Sequence, residues 1–168
     1  MGKNLNRMLV LSCFFFISFI TSCASTPAYL YEADAIKLDL KSAKDLNLFE
    51  GQSHTLLLCV YQLKDPNAFK QLSDENEGLS KLLGCSSFDA SVTGSKRLVI
   101  QPNEATTRML DRAEGTKYVG IVAGYYKMQK ENMIHLENVP LRIFTKNPKK
   151  MEIRLFLGAQ EIKEVREK

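Results

Sequence analysis

The chain has no tryptophan, two histidines and four cysteines in 168 residues. His54 and His135 stand alone in their segments, and there is no HExxH, CxxC, GxSxG or glycine-rich phosphate loop. A zinc site needs three or four strong protein ligands, so no metal and no cofactor are expected. The acids are scattered among lysines rather than paired, so no acid–base couple is expected either. A catalytic reading requires His54 or His135 to meet a nucleophile and an acid from distant segments. The expectation is a protein that is not an enzyme. Lysine and arginine form no stripe, and Lys149-Lys150 reads as a solvated turn, so a nucleic-acid partner is not expected. Acidic residues are missing from the first 31 positions, and no apolar run reaches the ~20 residues of a membrane-spanning helix.

What the N-terminus does have is Lys3 and Arg7, then an apolar stretch over 8–20 centred on Phe14, Phe15 and Phe16. A basic start and a short apolar run are the marks of an export signal. The run stops at Ile20-Thr21-Ser22-Cys23-Ala24, which resembles a lipobox. An aliphatic residue and two small residues precede a cysteine, whose thiol accepts a diacylglyceryl group before cleavage. Residues 1–22 are therefore expected to leave as the signal peptide, and Cys23 to become the acylated N-terminus. Each buried CH2 contributes ~0.8 kcal/mol to membrane affinity, so several acyl chains anchor stably. In Gram-negative lipoproteins an Asp after the cysteine marks inner-membrane retention. Ala24 points instead to the outer membrane, on its periplasmic face.

Loss of Lys3 and Arg7 takes the formal charge from +4 to +2. What remains has the length of one domain, read as a tether over 23–34 and a folded unit over 35–168. Cys13 leaves with the signal, which leaves Cys59 and Cys85 in an oxidising compartment. They either form a disulfide or pack as buried thiols, since free Cys behaves as a small apolar residue.

Residues 35–41 alternate apolar and charged, the pattern of a half-buried strand. A polar loop over 42–53 follows. Residues 55–63 are apolar on both faces, which predicts a central strand. Asp65-Pro66 opens a short helix, and a second over 75–83 stops at Gly84. Strands are expected over 86–93 and 97–101 around a Gly94-Ser95 turn, with a loop or short helix over 103–114. A strand over 117–128 carries Gly120 and Gly124 on one face, a close-packing or bulge site. One or two strands broken at Pro140 follow, then an alternating strand over 150–157 and a mixed-charge tail over 161–168. The sum is an all-β fold, a two-sheet β-sandwich with a short helical insertion.

Asp45-Leu46-Asn47-Leu48-Phe49-Glu50-Gly51-Gln52-Ser53, the apolar strand through Val60-Tyr61-Gln62-Leu63, and Ala68-Phe69 in the helix resemble the TssJ (SciN) lipoproteins of type VI secretion systems. Leu98-Val99-Ile100-Gln101-Pro102, the segment from Tyr118 to Tyr126, and the lipobox agree with that pattern. The chain departs from it at Cys59, where Arg is frequent, and at Met133-Ile134, where a Trp-Arg pair is frequent. The resemblance implies a transthyretin-like sandwich on the periplasmic side of the outer membrane. It implies recruitment of the periplasmic C-terminal domain of TssM, in a membrane complex with TssL. The family's partner loop joins the first two strands, and maps here to 42–53. Asp45, Leu46, Asn47, Leu48, Phe49, Glu50 and Gly51 are then the expected contact residues. Leu46, Leu48 and Phe49 either pack beneath the loop or face a partner, with Phe49 the preferred anchor because aromatics dominate interface energetics. Deleting 45–51 is expected to abolish binding and spare the fold. The rival reading is a ligand-binding periplasmic lipoprotein, which asks for a deep apolar pocket.

Overall fold

Alternation at Ile36, Leu38 and Leu40 buries one face of β1 (Glu32–Ser42) and turns Lys37, Asp39 and Lys41 outward, in a computed structural model that describes residues 27–165. The expected signal segment, Cys23 and the last three residues lie outside the described range. β1 is the second strand of a sheet ordered β4-β1-β7-β8, with β4 (Ala105–Arg112), β7 (Met151–Leu157) and β8 (Ile162–Glu164). It pairs antiparallel with β4 and parallel with β7, Ile36 opposite Met151 and Ser42 opposite Leu157.

The second sheet is ordered β3-β2-β5-β6, from β2 (Leu56–Leu63), β3 (Val92–Ile100), β5 (Tyr118–Ala123) and β6 (Ile134–Asn138). β2 is central, as its continuous apolarity predicts. Its Leu56, Leu58 and Val60 join Ile36, Leu38, Leu40, Ile121, Ile153 and Leu155 between the sheets. Its Cys59, Tyr61 and Leu63 face the other way, under α1 (Asn67–Ser73) and α2 (Asn76–Leu82), against Phe69, Leu79 and Leu82. The helical insertion thus supplies the second apolar layer that a strand buried on both faces requires. Asp65 Oδ1 accepts the Asn67 N–H at 2.8 Å at the start of α1. Gly120 makes room for the Phe69 ring, where a Cβ would stand 2.7 Å from Cζ.

Four expectations need correction. Gly94-Ser95 is no turn. β3 runs straight through it, and the irregularity is a register shift opposite Gln62 and Leu63, while 86–91 is not strand. Residues 103–114 hold β4, an edge strand paired only to β1, whose modest burial hides its period. Part of the expected tail is β8, zipped to Leu155–Leu157. Residues 29–34 are held to the domain and not slack: Gly115 N–H donates to Tyr29 O at 2.7 Å, and Tyr31 Oη donates to Asp111 at 2.7 Å.

The outer face of the first sheet is a charge ladder. Lys37 lies 2.9 Å from Asp39 and 3.0 Å from Glu152, and Arg154 lies 2.8 Å from Glu152. These side chains line a groove of about 530 Å³ and pair with one another across it. The Thr107 hydroxyl, at 2.6 Å, and then the Lys37 ammonium pull the Asp39 carboxyl down to about 2. A carboxylate with a lowered folded pKa stabilises the fold above its unfolded pKa, ~3.9, and loses that contribution as pH falls through the folded value. Urea unfolding between about pH 5 and pH 2 should therefore show a loss for the wild type that is smaller in Asp39→Asn. Parallel pH curves would refute the assignment.

Candidate interaction surface at the rim of the sandwich

The strand directions collect loops 43–55, 101–104, 124–133 and 158–161 at one end of the sandwich. They are tied together. Ser42 N–H donates to Glu104 O at 2.8 Å, Asn103 N–H to Ala43 O at 3.0 Å and Leu48 N–H to Ala159 O at 2.9 Å.

Leu46 is fully buried and belongs to the intersheet core, so it is not available to a partner. Asn47 is also buried and bonded on both sides of its amide. Its Nδ2 donates to Thr55 O at 2.9 Å, and its Oδ1 accepts the Tyr126 N–H at 2.9 Å. Its φ of 48° is left-handed, a region Asn tolerates better than most residues. Both residues are therefore corrected from contact to support. Deleting 45–51 would open the core rather than spare the fold.

Beyond Leu48, which is half-buried, the loop closes in a two-residue turn. Phe49 and Gln52 exchange backbone hydrogen bonds at 2.9 Å in both directions. Glu50 and Gly51 both have positive φ, 51° and 76°, as the tight hairpin turn with two left-handed central residues requires. Asp45, Phe49, Glu50 and Gly51 are exposed.

Phe49, 39% exposed, stacks on Tyr126, 55% exposed, with centroids 4.7 Å apart and planes inclined by 18°. The His54 ring meets Tyr126 edge-on at 4.8 Å. His54 N–H donates to Leu46 O at 3.0 Å, and the ring serves as packing beneath the aromatic pair. Asn47, Thr55, Leu57, Val99, Gly124, Tyr125, Tyr126 and Met128 line an adjoining groove of about 390 Å³. Val99, Tyr126 and Met128 are exposed, so the rim carries a run of accessible apolar side chains with Phe49.

The sequence pattern missed Tyr126, Met128 and Val99. The strand ends at Ala123, and Tyr125 turns inward to donate its hydroxyl to Glu161 O at 2.8 Å, which throws Tyr126 outward. Two tyrosines in a row after Gly124 were the available signal. His135 lies on the other edge of the second sheet, 3.3 Å from Glu137. Among the described residues, no three His, Cys, Asp or Glu side chains converge as a metal site would need. The structure joins Cys59 to Cys85 in a disulfide, Cα atoms 5.1 Å apart, on the face under the helices and away from the rim.

Residues 34–160 match the family model described as type VI secretion lipoprotein, VasD, EvfM, TssJ, VC_A0113. The chain belongs to the type VI secretion lipoprotein family. Membership makes it a lipoprotein of that secretion system, in a family of structural components. Solved structures share the two-sheet fold. The lipoprotein TssJ1 of Pseudomonas aeruginosa is 23% identical with a TM-score of 0.58, over 83% of this chain and 97% of that one. Serratia marcescens Lip, a membrane-bound component of the type VI secretion system, is 17% identical with a TM-score of 0.60, over 78% and 96%. A chain of the structure of the TssM C-terminal domain from EAEC is 14% identical with a TM-score of 0.59, over 79% and 98%. A comparison with curated proteins finds no match.

Proposed function

We propose that this lipoprotein holds a type VI secretion membrane complex at the outer membrane. It is anchored by acyl chains on Cys23 and binds the periplasmic C-terminal domain of TssM through the rim, within a complex that also contains TssL. The observation that carries the reading is the Phe49–Tyr126 stack, two accessible aromatic rings on a hydrogen-bonded support in a family of type VI lipoproteins. Large apolar side chains held rigid lose little entropy on docking, and aromatic anchors of this kind supply most of the energy in protein interfaces. Asp45, Leu48, Glu50 and Gly51 surround the anchor, with Val99 and Met128 beside it. Leu46 and Asn47 set its position from below.

The test is binding of the mature chain to the TssM periplasmic domain encoded in the same genome. Phe49→Ala and Tyr126→Ala should each weaken binding by about 30-fold, a hot-spot loss of ~2 kcal/mol, with unchanged thermal unfolding. Unchanged affinity in both variants would overturn the rim assignment.

A further inference from the structure

The opposite end of the sandwich carries a second feature. Residues 139–150 join β6 to β7 there as a hairpin. Lys149 N–H donates to Pro140 O at 2.7 Å, Arg142 N–H to Asn147 O at 2.8 Å, and Lys146 N–H to Arg142 O at 3.0 Å. Leu141 and Pro148 form a bridge within it. Its base is fixed to the domain. Val139 N–H donates to Lys117 O at 2.8 Å, and the buried Arg112 donates to Lys149 O at 3.0 Å while paired to Glu32 at 2.7 Å. At the tip stand Ile143, 75% exposed, and Phe144, 96% exposed. A hairpin held by this many bonds nonetheless gives its two largest apolar side chains to solvent.

Within the hairpin the charges are of one sign, although Glu32 lies at its base on Arg112. Arg142, Lys146, Lys149 and Lys150 are all exposed, and no acidic residue occurs between Asn138 and Met151. The chain also enters the fold at this end, because β1 starts here and Tyr29 is already bonded to Gly115. Leu30 and Tyr31 are exposed beside the entry. Only residues 24–28 separate Cys23 from Tyr29, a reach of at most about 22 Å.

We infer that the 139–150 hairpin is a membrane-contact tip: Phe144 and Ile143 enter the interfacial layer of a phospholipid bilayer while the surrounding cations meet anionic headgroups. The inference rests on the anchor reading above, since five residues between lipid and fold bring this end within reach of the bilayer. Aromatic side chains favour the headgroup boundary, and basic residues near an anionic surface are attracted to it. The tip and the acyl anchor are then two points of attachment, and two points fix an orientation. β1 points away from the membrane, and the rim with Phe49 and Tyr126 stands about 35 Å further out, the length of an eleven-residue strand.

The absence of tryptophan makes a direct test available. Phe144→Trp and, separately, Phe49→Trp give the lipoprotein one reporter at each end. Each is reconstituted in phosphatidylethanolamine–phosphatidylglycerol vesicles containing lipids brominated along the acyl chains. Emission at 144 should shift to the blue and be quenched, and emission at 49 should do neither. The quenching at 144 should fall when phosphatidylglycerol is replaced by phosphatidylcholine. The mass of the Cys23 peptide reports acylation separately. A parallel mature sample, with Cys23→Ser and an N-terminal hexahistidine tether on nickel-chelating lipid, holds the chain at the vesicle whether or not the native cysteine is acylated. Unquenched emission at 144 on vesicle-bound protein in that sample overturns the tip. An unmodified Cys23 with quenching at 144 overturns the anchor alone.

Discussion

Replacing Cys59 and Cys85 together by alanine should lower the unfolding free energy by about 3 kcal/mol. The bridge closes a segment with a sequence separation of 26. The chain-entropy estimate for a loop of that length is about 3.5 kcal/mol, set against small packing changes at the sulfurs. The segment it closes contains both α1 and α2, each of seven residues. Helices that short have little stability of their own. They persist because Phe69, Leu79 and Leu82 lie on Tyr61 and Cys59, and because the bridge keeps the unfolded chain from spreading. Urea unfolding should show the loss, and amide exchange should accelerate first over 67–91. Reducing the wild type should have the same effect. An unchanged midpoint in both experiments would mean that the bridge contributes nothing to stability.

Asn47→Ala should cost about 2–4 kcal/mol and also weaken partner binding, although no contact residue is altered. The change removes the acceptor of the Tyr126 N–H and the donor to Thr55 O. Each buried group left unpaired costs roughly 1–3 kcal/mol, partly relieved by water at a rim. Alanine is also a poorer occupant of a left-handed backbone than asparagine. The hydrogen bond to Tyr126 links the loop over 43–55 to the loop over 124–133, so its loss uncouples Phe49 from Tyr126. Asn47→Asp retains an acceptor for the Tyr126 N–H and loses the donor to Thr55. It should fall between wild type and alanine in urea unfolding and keep more of the binding. If aspartate proves as damaging to binding as alanine, the Tyr126 hydrogen bond is not what organises the rim.

The contrast between strands shows what periodicity can carry. β1 and β7 alternate cleanly because one face is core and the other is a charge ladder, and β2 reads as central because helices cover its second face. β4 escaped because an edge strand with two threonines and scattered charges buries little, so its period is faint. Gly94 misled because glycine punctuates turns, whereas here it sits inside a strand, where an added Cβ would stand 3.6 Å from the Gln62 side chain. At the rim, Phe49 was legible as an aromatic in a polar loop. Whether Leu46 points in and Phe49 out depends on the sheet beneath, which local sequence does not encode. Tyr126 became visible only when Tyr125 was seen to fill the core end.

The parallel-paired strand β1 has one more consequence. The chain enters at one end of it and leaves into the 43–55 loop at the other, so one backbone links the entry end to Phe49. A strand is already close to its contour length. If a partner gripping Phe49 pulls against the bilayer, tension runs along covalent bonds with almost no slack to take up. The hydrogen bonds to β4 and β7 lie across that direction and keep the strand straight rather than carry the force. The fold would then act as a sleeve around a short, inextensible cord.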